Sequence, residues 1–184
     1  MVGFLVAVMV VSIVVAAATG GRLRLLLETP IRWPAVLFAA LAAQVVTGLA
    51  PWQGALEDGM FAILLVSFVA MLLFTAVNRH LAGMALIGLG MALNGAVIAV
   101  NRGMPTNLPH GVRIEETVKH HARRPSDRLV VLSDVIVVRP LGESLSLGDM
   151  LLAAGIVRLV VARSRAPRAA RGPGSPRQPE EGES

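Results

Sequence analysis

Long apolar runs alternate with short polar turns over the first hundred residues of this chain. The runs cover 2–19, 33–50, 59–77 and 81–100. Each is close to the roughly 20 residues that a helix needs to cross a hydrocarbon core about 30 Å thick. Charged side chains stand almost entirely in the turns. Because a bilayer holds no water to solvate an ion, this segregation predicts four transmembrane helices over 1–100.

A fifth transmembrane helix is predicted over 147–162. Ser146-Leu147-Gly148-Asp149 fits a capping box, with Ser146 as the N-cap and Asp149 at the third helical position. The helix would be about 24 Å long, and Arg158 and Arg163 are placed to reach the polar surface beyond it. The predicted fold class is an all-α integral membrane protein, a bundle of about five transmembrane helices with a short amphipathic surface helix.

Residues 101–146 are polar and are predicted to form an extracytoplasmic segment, named the polar cap below. Its stretch 113–124 has Glu–Lys and Glu–His pairs four residues apart and stops at a proline, which predicts the amphipathic surface helix. The apolar stretch 129–138 is too short to span as a helix. It is interpreted as a surface segment or a partly inserted helix, with a strand left open. Residues 163–184 are predicted to be a disordered tail, basic and then acidic.

The distribution of charge orients the predicted helices. Loops 20–32 and 78–80 contain arginines, whereas 51–58 contains two acidic residues and no cation. The positive-inside rule then places the N-terminus and the polar cap outside and the C-terminus in the cytoplasm. Basic residues within the cap work against this orientation, and the basic tail supports it. A cleaved signal peptide is disfavoured because no Lys or Arg precedes the first apolar run. The predicted localisation is the cell (inner) membrane, as a multi-pass protein.

Composition supports a membrane protein and narrows its partners. Charged residues make up 16% of the chain, against about 25% in a soluble domain. The net charge is +5 but aromatic residues reach only 4% and tyrosine is missing, so nucleic acid is not expected as a partner. The expected partners are the lipid bilayer and, in a homo-oligomer, further copies of this chain. Anionic lipid head groups are predicted to bind the arginines that follow the fifth helix. These are Arg163, Arg165, Arg168 and Arg171.

The candidate functional residues are polar positions predicted to converge at the outer surface. They are Asn94, Asn101, Arg102, His120, Asp134 and Asp149. Asp149 has a structural explanation as the helix cap. Asp134 stands inside an apolar run, where its structural explanation is a cap for a helix from Val135. Gln44, in the middle of the second predicted helix, is interpreted as an interhelical hydrogen-bonding residue, with a solute contact as the alternative.

The motifs exclude several kinds of chemistry. The chain has no cysteine, so disulfides and thiolate sites are excluded. His120 and His121 are adjacent, which on a helix points them about 100° apart and prevents them from sharing one metal ion. Metalloprotease and nucleotide-binding motifs are missing from the sequence. No metal and no cofactor is therefore predicted, and no catalytic residue is assigned.

Gly88, Ala92, Gly95 and Ala99 follow one stripe of the fourth predicted helix. Small residues let a second helix approach closely, and in lipid such packing stabilises helix association. The stripe is interpreted as a contact within the bundle, with a homodimer face as the alternative.

Four motifs together resemble a known family. They are Asn101-Arg102-Gly103-Met104-Pro105, Lys119-His120, Leu132-Ser133-Asp134-Val135-Ile136 and Ser146-Leu147-Gly148-Asp149-Met150. With the preceding apolar spans they resemble an uncharacterised bacterial membrane-protein family, domain of unknown function 5317, over about residues 1–162. The first acidic motif departs from the expected Leu-Gly-Asp by its serine. The resemblance supports the predicted architecture and implies no activity.

Three functional hypotheses follow for a multi-pass protein of unknown biochemical function. The preferred one is a non-enzymatic binding or scaffold protein that binds a partner or a lipid through the polar cap. A small-solute transporter, acting as an oligomer, would line its path with Gln44 and Asn94. A membrane-embedded enzyme would use Asp134 or His120 as its acid or base.

Overall fold

A computed structural model describes residues 2–107, 116–138 and 143–165 of the chain. Three sequence predictions lie wholly or partly outside these ranges. They are the first part of the surface helix (113–115), residues 108–115 and 139–142 of the polar cap, and most of the tail, including Arg168 and Arg171.

Five helices of 14 to 23 residues make up most of the described chain. They are α1 (Val2–Ala18), α3 (Pro34–Thr47), α4 (Ala55–Val77), α5 (Met84–Asn101) and α6 (Leu147–Ser164), with a one-turn helix α2 (Arg24–Leu27) between the first two. The described part of the polar cap contains a 3-10 turn (Val130–Leu132) and four short strands. These are β1 (Met104–Thr106), β2 (His120–Ala122), β3 (Ile136–Val138) and β4 (Glu143–Leu145).

Local sequence signals explain where these helices begin. Pro34 occupies the first turn of α3, where the missing N–H costs no hydrogen bond. The predicted capping box begins α6: the Ser146 hydroxyl accepts from the Asp149 N–H at 2.9 Å, and the Ser146 N–H donates to Asp149 Oδ2 at 3.0 Å. The capping-box prediction is therefore confirmed.

The helices pack in a fixed order, α3 on α4, α4 on α5, α5 on α6 and α6 on α1. The core lies between α4 and α5, where Phe68, Met71 and Phe74 pack with Met84 and Met91. Helices α1 and α3 are the two ends of this series and do not pack along each other. The bundle is therefore an open ring whose gap lies between α1 and α3.

Helices α5 and α6 approach backbone to backbone through two glycine pairs. A Cβ atom added to Gly148 would stand 2.7 Å from the Gly90 carbonyl oxygen, and one added to Gly155 would stand 2.8 Å from the Gly83 oxygen. The pairs Gly83–Gly155 and Gly90–Gly148 run in opposite directions along the chain, so the two helices are antiparallel. No side chain larger than hydrogen fits at these crossings.

Two of the described helices, α4 and α5, are long and apolar enough to cross a membrane. Helix α3 has 14 residues, and α6 carries Asp149, Arg158 and Arg163. Most of the described chain is helical, as predicted, and two of its helices are candidate membrane spans.

The all-α prediction is wrong for the polar cap. Strand β1 pairs in parallel with β2, and β3 pairs antiparallel with β4. The described part of the predicted surface helix, 116–124, contains β2 instead. Glu116 pairs with Arg124 at 2.8 Å rather than with His120 four residues on. Long-range backbone pairing with β1 supplies the hydrogen bonds that a local helix would have made, so tertiary structure overrides the i,i+4 pattern.

The structural explanation of Asp134 as a helix cap is also wrong. Residues 136–138 are the extended strand β3. Asp134 forms an isolated β-bridge with Thr106, the last residue of β1. Its N–H donates to the Pro105 carbonyl at 3.2 Å, and its own carbonyl accepts from the Asn107 N–H at 2.9 Å. These two backbone bonds fix Asp134 beside β1, and its carboxyl group is left for other contacts.

Candidate functional site

A cavity of about 480 Å³ lies inside the bundle, beneath the polar cap. All five long helices contribute to its wall, and most of its lining is aliphatic, aromatic or methionine side chains. Along α5 the lining extends from Met84 to Ile98, which is about 21 Å at 1.5 Å per residue. Its volume falls within the 300–1,000 Å³ range of small-molecule sites. The cavity is therefore long, narrow and apolar.

Polar groups are concentrated at the cap end of this cavity. They are Asn94 of α5, Asp149 of α6, and Lys119, His120 and Asp134 of the cap. The site thus combines an apolar shaft with one charged end, a form that suits an amphipathic molecule.

Each carboxylate oxygen of Asp149 accepts a hydrogen bond from within the fold. Asn94 Nδ2 donates to Asp149 Oδ1 at 2.9 Å, and the Ser146 N–H donates to Asp149 Oδ2. The Ser146 hydroxyl in turn donates to Asn94 Oδ1 at 2.8 Å. Gly148 makes this network possible, because a Cβ there would stand 2.6 Å from Asn94 Cγ. Both ends of the Asn94 amide are used, so this network holds α5 to α6.

The Asp134 carboxyl group is buried at the end of the cavity, with 4% of the residue exposed. Its Oδ2 atom lies 3.4 Å from Thr106 Oγ1 and 3.5 Å from His120 Nδ1. Burial raises the pKa of Asp134, and the contact with His120 offsets part of that rise. Folding therefore shifts the protonation equilibrium of Asp134 toward its neutral form, relative to the unfolded chain.

Lys119 is the one lysine of the chain; every other member of its 17 Lys and Arg residues is an arginine. Its carbonyl accepts from the Met104 N–H at 2.7 Å, which fixes its backbone next to β1. Burial lowers the pKa of Lys119, and the charges of Asp149 and Asp134 partly oppose this. Within the described parts of the chain its ammonium group makes no hydrogen bond and no ion pair. The sequence prediction missed Lys119 as a site residue, although its uniqueness was a usable signal.

Gln44 lines the cavity from the last turn of α3. Its Nε2 atom is buried and has no hydrogen-bond partner among the described residues. The interhelical hydrogen bond that the sequence suggested for this amide nitrogen is therefore missing from the described structure.

Asn101 and Arg102 lie outside the cavity and hold the cap to the helices. The Asn101 side chain donates to the Arg128 carbonyl at 2.9 Å and accepts from the Arg128 N–H at 2.8 Å. Arg102 bonds Asp58 at the start of α4 and lies over the Phe61 ring, 4.9 Å from its centroid. The structure gives both residues structural contacts and separates them from Asn94, His120, Asp134 and Asp149.

No group of three or more His, Asp or Glu side chains suited to a metal ion occurs within residues 2–107, 116–138 and 143–165. His121, adjacent to the site residue His120, faces Asp127 at 3.9 Å and takes no part in the cavity.

The pH dependence of stability tests the environment of Asp134. Because its pKa is raised above the usual 3.8, the folded state holds a proton that the unfolded state releases. This contribution is full below the unfolded pKa and is lost as the pH rises through the folded one. As the pH rises above about 4, the melting temperature of the wild type should therefore fall relative to that of Asp134→Asn. A difference between the two proteins that stays constant with pH would contradict a raised pKa.

Comparison with protein families gives one finding. A model described as a family of unknown function, DUF5317, matches residues 28–161. Neither the curated proteins nor the solved structures include a match to this chain. The matched range includes α3 to α5, the polar cap and most of α6, and therefore nearly all of the cavity wall.

Proposed function

Since this chain belongs to DUF5317, a family of unknown function, its activity must be inferred from the cavity, and we propose that it is a multi-pass membrane protein that binds a lipid there. The proposal narrows the binding hypothesis from the sequence to one kind of ligand. The single observation that carries it is the long apolar cavity with charged groups at only one end.

The exposed surface of the helices supports a membrane location. Large apolar side chains point outward along α1, α3 and α4, and include Val14 at 58%, Phe38 at 68% and Val66 at 67% exposed. Soluble monomers rarely expose continuous apolar patches larger than a few hundred Å². Surrounding lipid would cover this surface on α1 and α3 as well as on α4.

Charge at the two ends of the bundle supports an orientation. The end opposite the cap contains arginines on several elements, whereas the start of α4, at the cap end, contains Glu57 and Asp58. The arginines are Arg22, Arg24, Arg32, Arg79, Arg158 and Arg163. We therefore place the cap outside and the C-terminus in the cytoplasm. There Arg163 and Arg165 would contact anionic lipid head groups.

The position of the cavity opening favours a lipid over a water-borne solute. Met9 of α1, Ile31 just before α3 and Leu41 of α3 line the cavity and are 49%, 40% and 41% exposed. On the opposite wall Phe68 and Met91 are 6% and 4% exposed. The exposed liners mark the gap between α1 and α3, on the side that would face lipid. An acyl chain can pass through an apolar side opening without leaving the hydrocarbon phase.

The cavity is also long enough for such a chain. Its extent along α5 is about 21 Å, whereas one leaflet contributes half of a hydrocarbon core that is about 30 Å thick. A single acyl or isoprenoid chain would cover the apolar wall, and its head group would reach the cap end.

A cavity-filling variant tests lipid binding. Ile156→Trp places a large ring into the cavity from α6, whereas Val66→Trp adds the same ring to the outer face of α4. The full chain is purified in detergent and the lipid bound per protein is measured by solvent extraction and mass spectrometry. We expect Ile156→Trp to reduce bound lipid severalfold and Val66→Trp to leave it unchanged.

Equal lipid content in the wild type and both variants would contradict the proposal. Ile156→Phe is the milder variant if the tryptophan prevents folding, and unchanged helical circular dichroism shows that either variant is folded.

The enzyme and transporter hypotheses stay predictions. The His120–Asp134 contact at the cavity end is a feature that an acid–base enzyme would need. The transporter hypothesis is weakened at Asn94, because both ends of that amide are bonded within the fold and are not free to contact a solute.

A further inference from the structure

The charged end of the cavity has one cation that the fold leaves without a partner. Lys119 Nζ carries three donors and lines the cavity, yet among the described residues it bonds nothing. Partial burial lowers the pKa of Lys119 and so disfavours its ammonium form. A bound anion would favour the ammonium form again and would accept its hydrogen bonds.

The neighbouring carboxyl groups do not compensate Lys119 directly. Asp149 accepts from Asn94 and from the Ser146 backbone, so its two oxygens already have donors. Asp134 contacts Thr106 and His120, and burial favours its neutral form by raising its pKa. Neither carboxyl group lies within the ion-pair distance of 4.0 Å from the Lys119 ammonium group. The end of the cavity therefore contains an ammonium group whose hydrogen-bond donors are free among the described residues, beside a carboxylate whose oxygens already accept from other groups.

The surroundings of the Lys119 stem favour this charge. A Cβ placed on Gly48 would lie 4.0 Å from Lys119 Cδ, so the stem passes the residue that follows the last turn of α3. The C-terminal end of a helix carries partial negative charge from its unpaired carbonyl groups. This end of α3 stabilises the ammonium form without neutralising it by an ion pair.

The choice of lysine at this one position is also informative. All other fixed cations of the chain are arginines, whose planar group prefers two-pronged pairing with a carboxylate of the protein. Lysine presents a compact charge on a flexible stem. Its side chain can therefore adjust to the position of a ligand head group, while the chain of the ligand sets how deep the ligand lies in the cavity.

From these contacts we infer that the ligand of the cavity is a single-chain amphiphile with an anionic head group, a carboxylate or a phosphate, bound by Lys119. This inference rests on the proposed function and specifies the ligand of the same site. Asp134 lies beside the head group and in its neutral form donates a hydrogen bond to it. His120 holds Asp134 in place through the contact at 3.5 Å.

Chain-matched ligands test the head group. The full chain in uncharged detergent is titrated with palmitic acid, hexadecyl phosphate and hexadecanol, and binding is followed by thermal stabilisation. The wild type should bind the acid or the phosphate about ten- to a hundredfold more tightly than the alcohol, as expected for a charge-assisted hydrogen bond. Lys119→Met should abolish that preference and leave the binding of hexadecanol unchanged, whereas Lys119→Arg should retain most of it.

The single lysine provides a second measurement. An amine-reactive reagent modifies Lys119 as the one side-chain amine, and peptide mass spectrometry separates it from the N-terminal amine. The preferred anionic ligand should protect Lys119 from modification, and hexadecanol should protect it less. Inorganic phosphate alone should give no protection, because it lacks the chain that occupies the cavity.

Two results would overturn this inference. One is that the wild type binds hexadecanol as tightly as both anionic ligands and that Lys119→Met changes none of these affinities. This result would contradict an anionic head group but would still be consistent with lipid binding. The other is full protection of Lys119 by inorganic phosphate, which would assign the site to a free anion. Loss of lipid binding altogether, with Ile156→Trp indistinguishable from the wild type, would instead contradict the proposed function.

Discussion

Replacing Gly90 by alanine is expected to destabilise the protein by about 1–3 kcal/mol, the usual cost of overpacking a tight contact. A Cβ at this position overlaps the Gly148 carbonyl and would stand 3.0 Å from the Leu152 N–H of α6. Both neighbours are backbone atoms and cannot rotate away. The whole of α6 would have to shift, and the Asn94–Asp149 contact near the same crossing would lengthen with it.

Gly59 provides the matched control for this substitution. It also lies in a helix, α4, and a Cβ added to it meets nothing within 4 Å. Gly59→Ala should stabilise the protein by about 0.5–1 kcal/mol, because glycine is entropically unfavourable within a helix. Thermal unfolding in detergent, followed by circular dichroism, measures both variants. Equal melting temperatures for Gly90→Ala and Gly59→Ala would show that α5 and α6 do not touch at Gly90.

The glycine contact shows how far a small-residue pattern can be interpreted. The stripe identified in the sequence faces α4: Gly88 lies against Thr75 and Gly95 against Phe68. The close contact with α6 uses Gly83 and Gly90, seven residues apart on a different face. Small residues occur on more than one face of α5, and spacing alone cannot assign each face to a partner helix. The matching seven-residue spacing of Gly148 and Gly155 in α6 was the signal that links the two helices.

The long helices were predictable because each is specified by nearby residues. The apolar run 33–50 contains the observed α3 (Pro34–Thr47), and 81–100 overlaps α5 (Met84–Asn101). Proline at the start of α3 and the capping box at the start of α6 are signals that act within one turn. Packing then changes only the ends of the helices.

The polar cap was not predictable in the same way. Its strands are three residues long, too short to leave an alternating pattern of apolar and polar positions. The pairing of Met104 with His120 joins residues far apart in sequence, whereas the i,i+4 charge pairs that suggested a helix are local. Local charge pairs contribute only about 0.2–0.5 kcal/mol each, so backbone pairing with β1 decides the conformation.

The sequence predicted the types of residue at the candidate site, but only some of the residues that it selected line the cavity. Asn94, His120, Asp134 and Asp149 were selected as unusual polar positions, and the structure places all four around the cavity end. Asn101 and Arg102 were selected for the same reason, yet they bond the cap to the helices. Polarity identifies a residue that needs a partner. Whether that partner is a ligand or another part of the chain depends on the fold.

Asn94→Leu is expected to be the most damaging change at the site. It removes the donor to Asp149 and the acceptor of the Ser146 hydroxyl, while the number and branching of the side-chain heavy atoms are kept. Leaving a buried polar group without its hydrogen-bond partner costs about 1–3 kcal/mol, and more when the group is charged. We expect a loss of this size in unfolding free energy, together with separation of α5 from α6 at the cap end.

Gln44→Leu is the control, because it makes the same amide-to-leucine change in the same cavity. The Gln44 amide nitrogen has no partner among the described residues, so its removal breaks no known bond and relieves a buried polar atom. We expect the stability to stay the same or to rise by up to about 1 kcal/mol, with the bound lipid unchanged. Equal losses for the two variants would mean that the Asn94 amide makes no special contribution. Impaired function in a stable, lipid-bound Gln44→Leu protein would instead favour the transporter, since a solute path would need that amide.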